Sequence, residues 1–62
     1  MIHFKFRTRP DPGHLERLLI TVFAGPEGKM QLAGNLRLYH EEWRALEKGL
    51  GHLLGVINVE IE

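Results

Sequence analysis

The 62-residue sequence contains no cysteine, which removes two ways of stabilising a very small domain. Disulfide bonds and thiolate metal sites are both excluded. A domain of about 60 residues buries only about 60% of the surface that its unfolded chain exposes, so its stability margin is small. We expect residues 1–62 to form a single domain that draws further stability from a partner subunit.

An excess of charge of either sign is also absent, because eight basic residues balance eight acidic ones. This balance argues against a general attraction to nucleic acid or to an anionic membrane surface. No apolar run approaches the roughly 20 residues of a membrane-spanning helix, and the opening MIHFKFRTRP does not resemble a secretory signal peptide. We expect a cytoplasmic domain with no membrane association.

Motifs that carry catalysis, metal binding or cofactor binding are missing as well. The glycines of AGPEGK, residues 24–29, resemble a phosphate-binding loop, but the Gly-Lys-Ser/Thr ending is absent. His40 and His52 lie near opposite ends of a predicted helix, and a metal site of His3 with His14 has no further support. We therefore expect no enzyme activity, no catalytic residue, no bound metal and no cofactor.

The N-terminal segment IHFKFRTR has the two-residue period of a strand with one buried face. Its apolar residues alternate with a row of basic ones, namely His3, Lys5, Arg7 and Arg9. The following PDPG ends the strand, because proline cannot donate to a ladder and glycine permits a turn.

Residues 14–24 fit either a helix or a strand. A helical stripe is formed by Leu15, Leu18, Leu19, Val22 and Phe23, but ITVF, residues 20–23, is typical of a strand. The turn AGPEGK and the alternating segment KMQLAGNLRLYH that follows it favour a hairpin. We therefore favour a strand from about Arg17 to Ala24, and then one long strand bent or bulged at Gly34.

Helical periodicity begins near His40 and places Trp43, Leu46, Leu50 and Leu53 on one stripe, with Trp43 at the head of the buried face. The final segment, VINVEIE, predicts a strand whose polar face is acidic at Glu60 and Glu62. Opposite charges on adjacent strands are stabilising, so the first and last strands are expected to be neighbours, in one chain or across a dimer.

The predicted fold is α+β, in the order β-β-β-α-β. It has a small antiparallel-rich sheet of three to four strands and one amphipathic helix on one face. The expected core comprises Ile2, Phe4, Phe6, Ile20, Val22, Met30, Leu32, Leu36, Leu38, Trp43, Leu46, Leu50, Leu53, Ile57, Val59 and Ile61. Since one helix cannot cover both sheet faces, a second apolar face remains, with Ala33, Leu19, Phe23, Tyr39 and Val56.

This leftover face leads to a functional expectation. Exposed apolar surface indicates a partner, and symmetric homodimers are the commonest assemblies. We expect a non-enzymatic binding or regulatory module that forms a homodimer or higher homo-oligomer. It would engage a protein through a sheet edge or through the uncovered face, at Leu19, Phe23, Tyr39 and Val56.

Two alternatives remain open. The basic row of His3, Lys5, Arg7 and Arg9 could bind nucleic acid, although the phenylalanines between them in sequence face the other way. A small ligand could instead bind in a pocket between subunits.

Overall fold

The computed structural model describes residues 2–52 and 58–62, which form one four-stranded sheet and one helix. The elements are β1 (His3–Pro10), β2 (Arg17–Gly25), β3 (Gln31–Tyr39), α1 (His40–Gly51) and β4 (Asn58–Ile61). The predicted α+β class and the β-β-β-α-β order are confirmed. The strand prediction for residues 17–24 is also confirmed, so the helical alternative for that segment is wrong.

The strands lie in the order β3-β2-β1-β4. The pairs β1–β2 and β2–β3 are antiparallel, whereas β4 runs parallel to β1, with Lys5 opposite Glu60. The ladder extends one residue beyond β4, because Glu62 N donates to the Phe6 carbonyl oxygen at 2.9 Å. The first and last strands are therefore neighbours within one chain, as their opposite charges predict.

Helix α1 packs on β2 and β3 and covers one face of the sheet. Phe6, Ile20, Trp43 and Leu50 form the buried core, and the Phe6 and Trp43 ring centroids are 6.3 Å apart. The Glu42 side chain caps the start of the helix, because its Oε1 accepts a hydrogen bond of 2.9 Å from the Tyr39 backbone N–H. Trp43 thus heads the buried stripe of the helix, as predicted.

A bulge in β3 corrects part of the predicted core. Val22 pairs with Gly34 and the next residue, Phe23, pairs with Leu32, so Ala33 is an extra residue in β3. An extra residue reverses the alternation of the side chains beyond it. Leu32 therefore shares a face with Phe23 instead of lying beneath the helix, and it is 61% exposed.

The core is smaller than the sequence predicts for a second reason. Ile2, Leu36 and Ile61 are exposed. Leu53 and Ile57, and the side chain of Val59, lie outside the described residues. A further group is only partly buried against the central four residues, and it consists of Phe4, Leu18, Val22, Leu38 and Leu46.

Candidate functional site

The sheet face opposite α1, here called the open face, brings together the basic row of β1 and the apolar residues of β2. Directly paired residues share a face, so the pairing of Lys5 with Phe23 and of Arg37 with Leu19 places all four side chains there. No element of residues 2–52 and 58–62 packs over this face. The open face is therefore the sheet face that the described elements leave uncovered.

Three of the four residues of the basic row contact a single carboxylate. Glu62 Oε2 lies 3.0 Å from Lys5 Nζ, and Glu62 Oε1 lies 3.0 Å from an Arg9 guanidinium nitrogen and 3.6 Å from Arg7 Nε. Hydrogen bonds from Lys5 and Arg9, together with the positive charges of Lys5 and Arg7, lower the pKa of Glu62 from 4.5 to about 2. The predicted ion pairing between the first strand and the end of the chain is therefore present. Glu62, and not Glu60, is the carboxylate that makes these pairs.

A second charged cluster lies where β1 meets β2 and is built around a buried carboxylate. Asp11 is only 2% exposed, and its Oδ1 accepts a hydrogen bond of 2.9 Å from the Gly13 N–H. Its Oδ2 lies 3.4 Å from Arg37 Nε and 4.0 Å from Arg17 Nε. This role of Asp11 is not among the predictions from sequence, although an aspartate before Pro-Gly is typical of a side-chain-capped turn.

The apolar centre of the open face consists of side chains of β2 and β3 that lie beside the basic row of β1. Leu19 and Phe23 are half-buried, and the exposed Leu32 joins them because of the bulge. The Arg7 guanidinium carbon lies 5.4 Å from the centroid of the Phe23 ring, which is within the range of a cation–π contact. Of the other residues predicted for this face, Tyr39 is exposed beside Arg17, and Val56 lies outside the described residues.

The open face has an excess of positive charge although the whole chain is neutral. Its three carboxylates are Asp11, Glu60 and Glu62, and its five cations are Lys5, Arg7, Arg9, Arg17 and Arg37. The remaining surface, which includes the solvent side of α1, therefore carries the matching acidic excess. The positive charge of the chain is thus concentrated on the open face.

A solvent-open depression of about 400 Å³ lies where β1 begins, beside the β2–β3 turn. It is lined by His3, Phe4, Lys5, Glu27, Gly28, Met30 and Glu60. His3 and His14, the two histidines that could have shared a metal ion, lie at opposite ends of β1. The described residues contain no group of three or more potential metal ligands.

Comparisons with known proteins give no match to a protein-family model, a curated protein or a solved structure. Among the residues that the structure describes, no helix has the length and apolar character needed to cross a membrane. The open face and the edges of the sheet are therefore the features from which a function is inferred.

Proposed function

We propose that this chain is a non-enzymatic, cytoplasmic binding module that self-associates and receives a protein partner on its open face. One observation supports this proposal above all others. Leu19, Phe23 and Leu32 form an apolar centre on a sheet face that no described element covers. Phe23 and Leu32 are directly paired, Leu19 lies beyond Thr21 on the same face of β2, and exposed apolar surface of this kind is typical of an interaction site.

The chemistry of the open face also suggests the character of the partner. An apolar centre beside arginine and aromatic side chains has the composition of a binding hot spot. The surplus of positive charge beside that centre favours a partner whose apolar contact residues are flanked by aspartate or glutamate. Such complementarity mainly raises the association rate and excludes partners of the wrong charge.

Nucleic-acid binding is the second candidate, and one specific observation favours it. Phe23 and Tyr39 lie on the same face as the basic row, so aromatic rings and cations are available together. Against it, Lys5, Arg7 and Arg9 already surround Glu62. Phosphates would have to displace that carboxylate, which lowers the gain from neutralising them. A small ligand in an intersubunit pocket ranks third.

The decisive experiment compares two variants that carry the same new charge at different places. Leu19→Glu removes an apolar contact and repels an acidic partner, whereas Ala45→Glu adds a carboxylate to the exposed surface of α1. Tagged proteins incubated with lysate of the native host are analysed by mass spectrometry and then titrated with the purified partner. We expect the Leu19→Glu variant to bind at least about tenfold more weakly, with the Ala45→Glu variant unchanged.

Circular dichroism establishes that both variants are folded before binding is compared. Equal partner affinity for wild type, Leu19→Glu and Ala45→Glu would contradict binding through the open face. A salt-sensitive, micromolar or tighter complex with a mixed-sequence oligonucleotide, lost on Arg7→Glu, would instead favour the nucleic-acid candidate.

A further inference from the structure

The two edges of the sheet differ in how well they are suited to receive another strand. One edge is β4, which has four residues, and the other is β3, which has nine. Strand β3 contains no proline and only one charged residue, Arg37, although proline and lysine are common protections of an exposed edge. No strand of residues 2–52 and 58–62 pairs with the outer side of β3, so its outward backbone N–H and C=O groups have no strand partner among them.

The bulge restricts where on β3 a second strand can pair. Ala33 interrupts the regular ladder near the start of the strand, and bulges disrupt pairing on the strand that contains them. The helix begins at His40. The regular part of the edge is therefore 34–39, and an added strand must be centred within it.

We propose that a second copy of this chain pairs with β3 in an antiparallel manner, about a two-fold axis at Leu36. This inference rests on the proposed function, because it assigns a surface to the self-association proposed above. A second copy of the chain fits this edge because residues 34–38 are self-complementary when the pairing is centred on Leu36. They are not self-complementary when it is centred on Asn35 or on Arg37.

In the Leu36 register, Leu36 faces the partner's Leu36, and Asn35 faces the partner's Arg37 on both sides of the axis. Leu36 is 43% exposed on the helix-covered side of the sheet, so the contact buries apolar surface that one chain leaves open. Asn35 Oδ1 accepts one hydrogen bond, of 3.0 Å from Thr21 Oγ1. Its second lone pair remains suited to an arginine donor.

The neighbouring registers are poorer for identifiable reasons. Centring on Arg37 places two arginines directly opposite each other, and like charges in that position are destabilising. Centring on Asn35 places the bulged Ala33 opposite the partner's Arg37 on both sides, which leaves only three regular pairs. The Leu36 register therefore combines matched apolar groups, complementary polar groups and an unbroken ladder.

This arrangement has a consequence for binding. A two-fold axis perpendicular to the sheet keeps each face on its own side, so both helices lie on one side of an eight-stranded sheet. Both open faces lie on the other side and are adjacent. The dimer would thus present two copies of the apolar centre to one partner, and binding at two linked sites increases the overall affinity.

Sedimentation velocity at about 10–500 µM, a range suited to a micromolar dimer, tests the proposal with two variants. Leu36→Lys places two lysines opposite each other at the axis, and because Leu36 is partly exposed the fold should be retained. We expect wild type to be dimeric, Leu36→Lys to raise the dissociation constant at least about tenfold, and Leu19→Glu to remain dimeric.

Cysteine substitutions then identify the register, because the natural chain has no cysteine to interfere. Directly opposed Cβ atoms lie about 4.5–5.5 Å apart, close to the spacing of a disulfide, whereas diagonal positions are too distant. Among the single variants Asn35→Cys, Leu36→Cys and Arg37→Cys, we expect Leu36→Cys to form the covalent dimer fastest under mild oxidation. Fastest cross-linking at residue 35 or 37 would overturn the Leu36 register.

The outcomes separate this inference from the proposed function. A wild-type dimer that persists in Leu36→Lys and is lost in Leu19→Glu would overturn pairing through β3 while leaving self-association intact. A wild-type protein that stays at 7.1 kDa at every concentration would overturn self-association itself and, with it, this inference.

Discussion

Glu62 is the residue on which the charge arrangement of the open face most depends. It contacts three cations of β1, all within 3.6 Å, and no other described carboxylate contacts as many. Without it, Lys5, Arg7 and Arg9 would repel one another along one strand face. A single side chain therefore links the last strand to the first and compensates the basic row.

Glu62→Gln should lower the free energy of unfolding at neutral pH. The folded-state pKa of Glu62 lies below its ordinary value of 4.5, at about 2. The stabilisation from its charge is therefore fully present above about pH 4.5 and is lost as the pH falls towards 2. Urea denaturation of wild type and variant should give free energies that differ at pH 7 and converge near pH 2.

Glu60→Gln provides a matched control on the same strand face. Glu60 is in none of the ion pairs among the described residues, so its neutralisation should change the free energy of unfolding less. Because the Glu62 pairs are exposed, high salt should reduce the effect of Glu62→Gln. An equal, pH-independent loss in both variants would show that the three-cation contact does not stabilise the fold.

At the scale of elements, the β2–β3 hairpin depends on one tightly packed glycine. Gly25 has φ of +151°, and a Cβ built there would lie 2.5 Å from the Lys29 carbonyl oxygen. Gly28, in the same turn, has φ of +81°, but a Cβ there would meet no atom within 4 Å. The two glycines therefore separate backbone strain from a steric clash.

Gly25→Ala should destabilise the protein by about 2–4 kcal/mol, because a clash adds to the backbone strain. Gly28→Ala should cost only about 1–2 kcal/mol, the penalty for a non-glycine residue at positive φ. Urea denaturation followed by circular dichroism measures both values. Equal losses in the two variants would mean that the close approach of Gly25 to Lys29 is relieved without cost.

For the whole molecule, the limiting feature is the size of the core. The protein is only 14 Å thick along its shortest axis, which corresponds to one sheet and one layer of helix. Ile20 is the largest side chain that is fully buried in the described part of the chain. Stability therefore depends on a few residues where α1 meets the sheet, and Trp43 contributes the most surface among them.

Trp43→Ala should cost about 3–5 kcal/mol, the usual range for removing a large aromatic side chain from a core. Trp43 is 7% exposed and contacts Phe6, so the wild-type fluorescence should be blue-shifted and should move red on denaturation. Since small domains have little stability to lose, we expect the variant to be largely unfolded by circular dichroism. Trp43→Phe, which retains an aromatic ring, should remain folded. A folded Trp43→Ala variant that lost only partner binding would assign Trp43 to an interface.

The element pattern was determined largely by the sequence itself. Alternation in residues 2–9 and 56–62, the Pro- and Gly-rich turns and the helical stripe from Trp43 to Leu50 predicted the order of the described elements, although residues 14–24 also fitted a helix. They succeeded because burial against one neighbouring layer imposes a period of two on strands and of 3.6 on helices. The opposite charges of the terminal strands also predicted correctly that β1 and β4 are neighbours.

Only the tertiary structure decided which residues share the open face. The bulge at Ala33 moves Leu32 beside Phe23, and an extra residue in one strand is defined only relative to its partner strand. Likewise, Asp11 joins Arg17 and Arg37, and Glu62 joins Lys5 and Arg9, through side-chain positions that depend on strand register. Local periodicity therefore fixes the elements, whereas register, which is set by contacts distant in sequence, fixes which side chains share the open face.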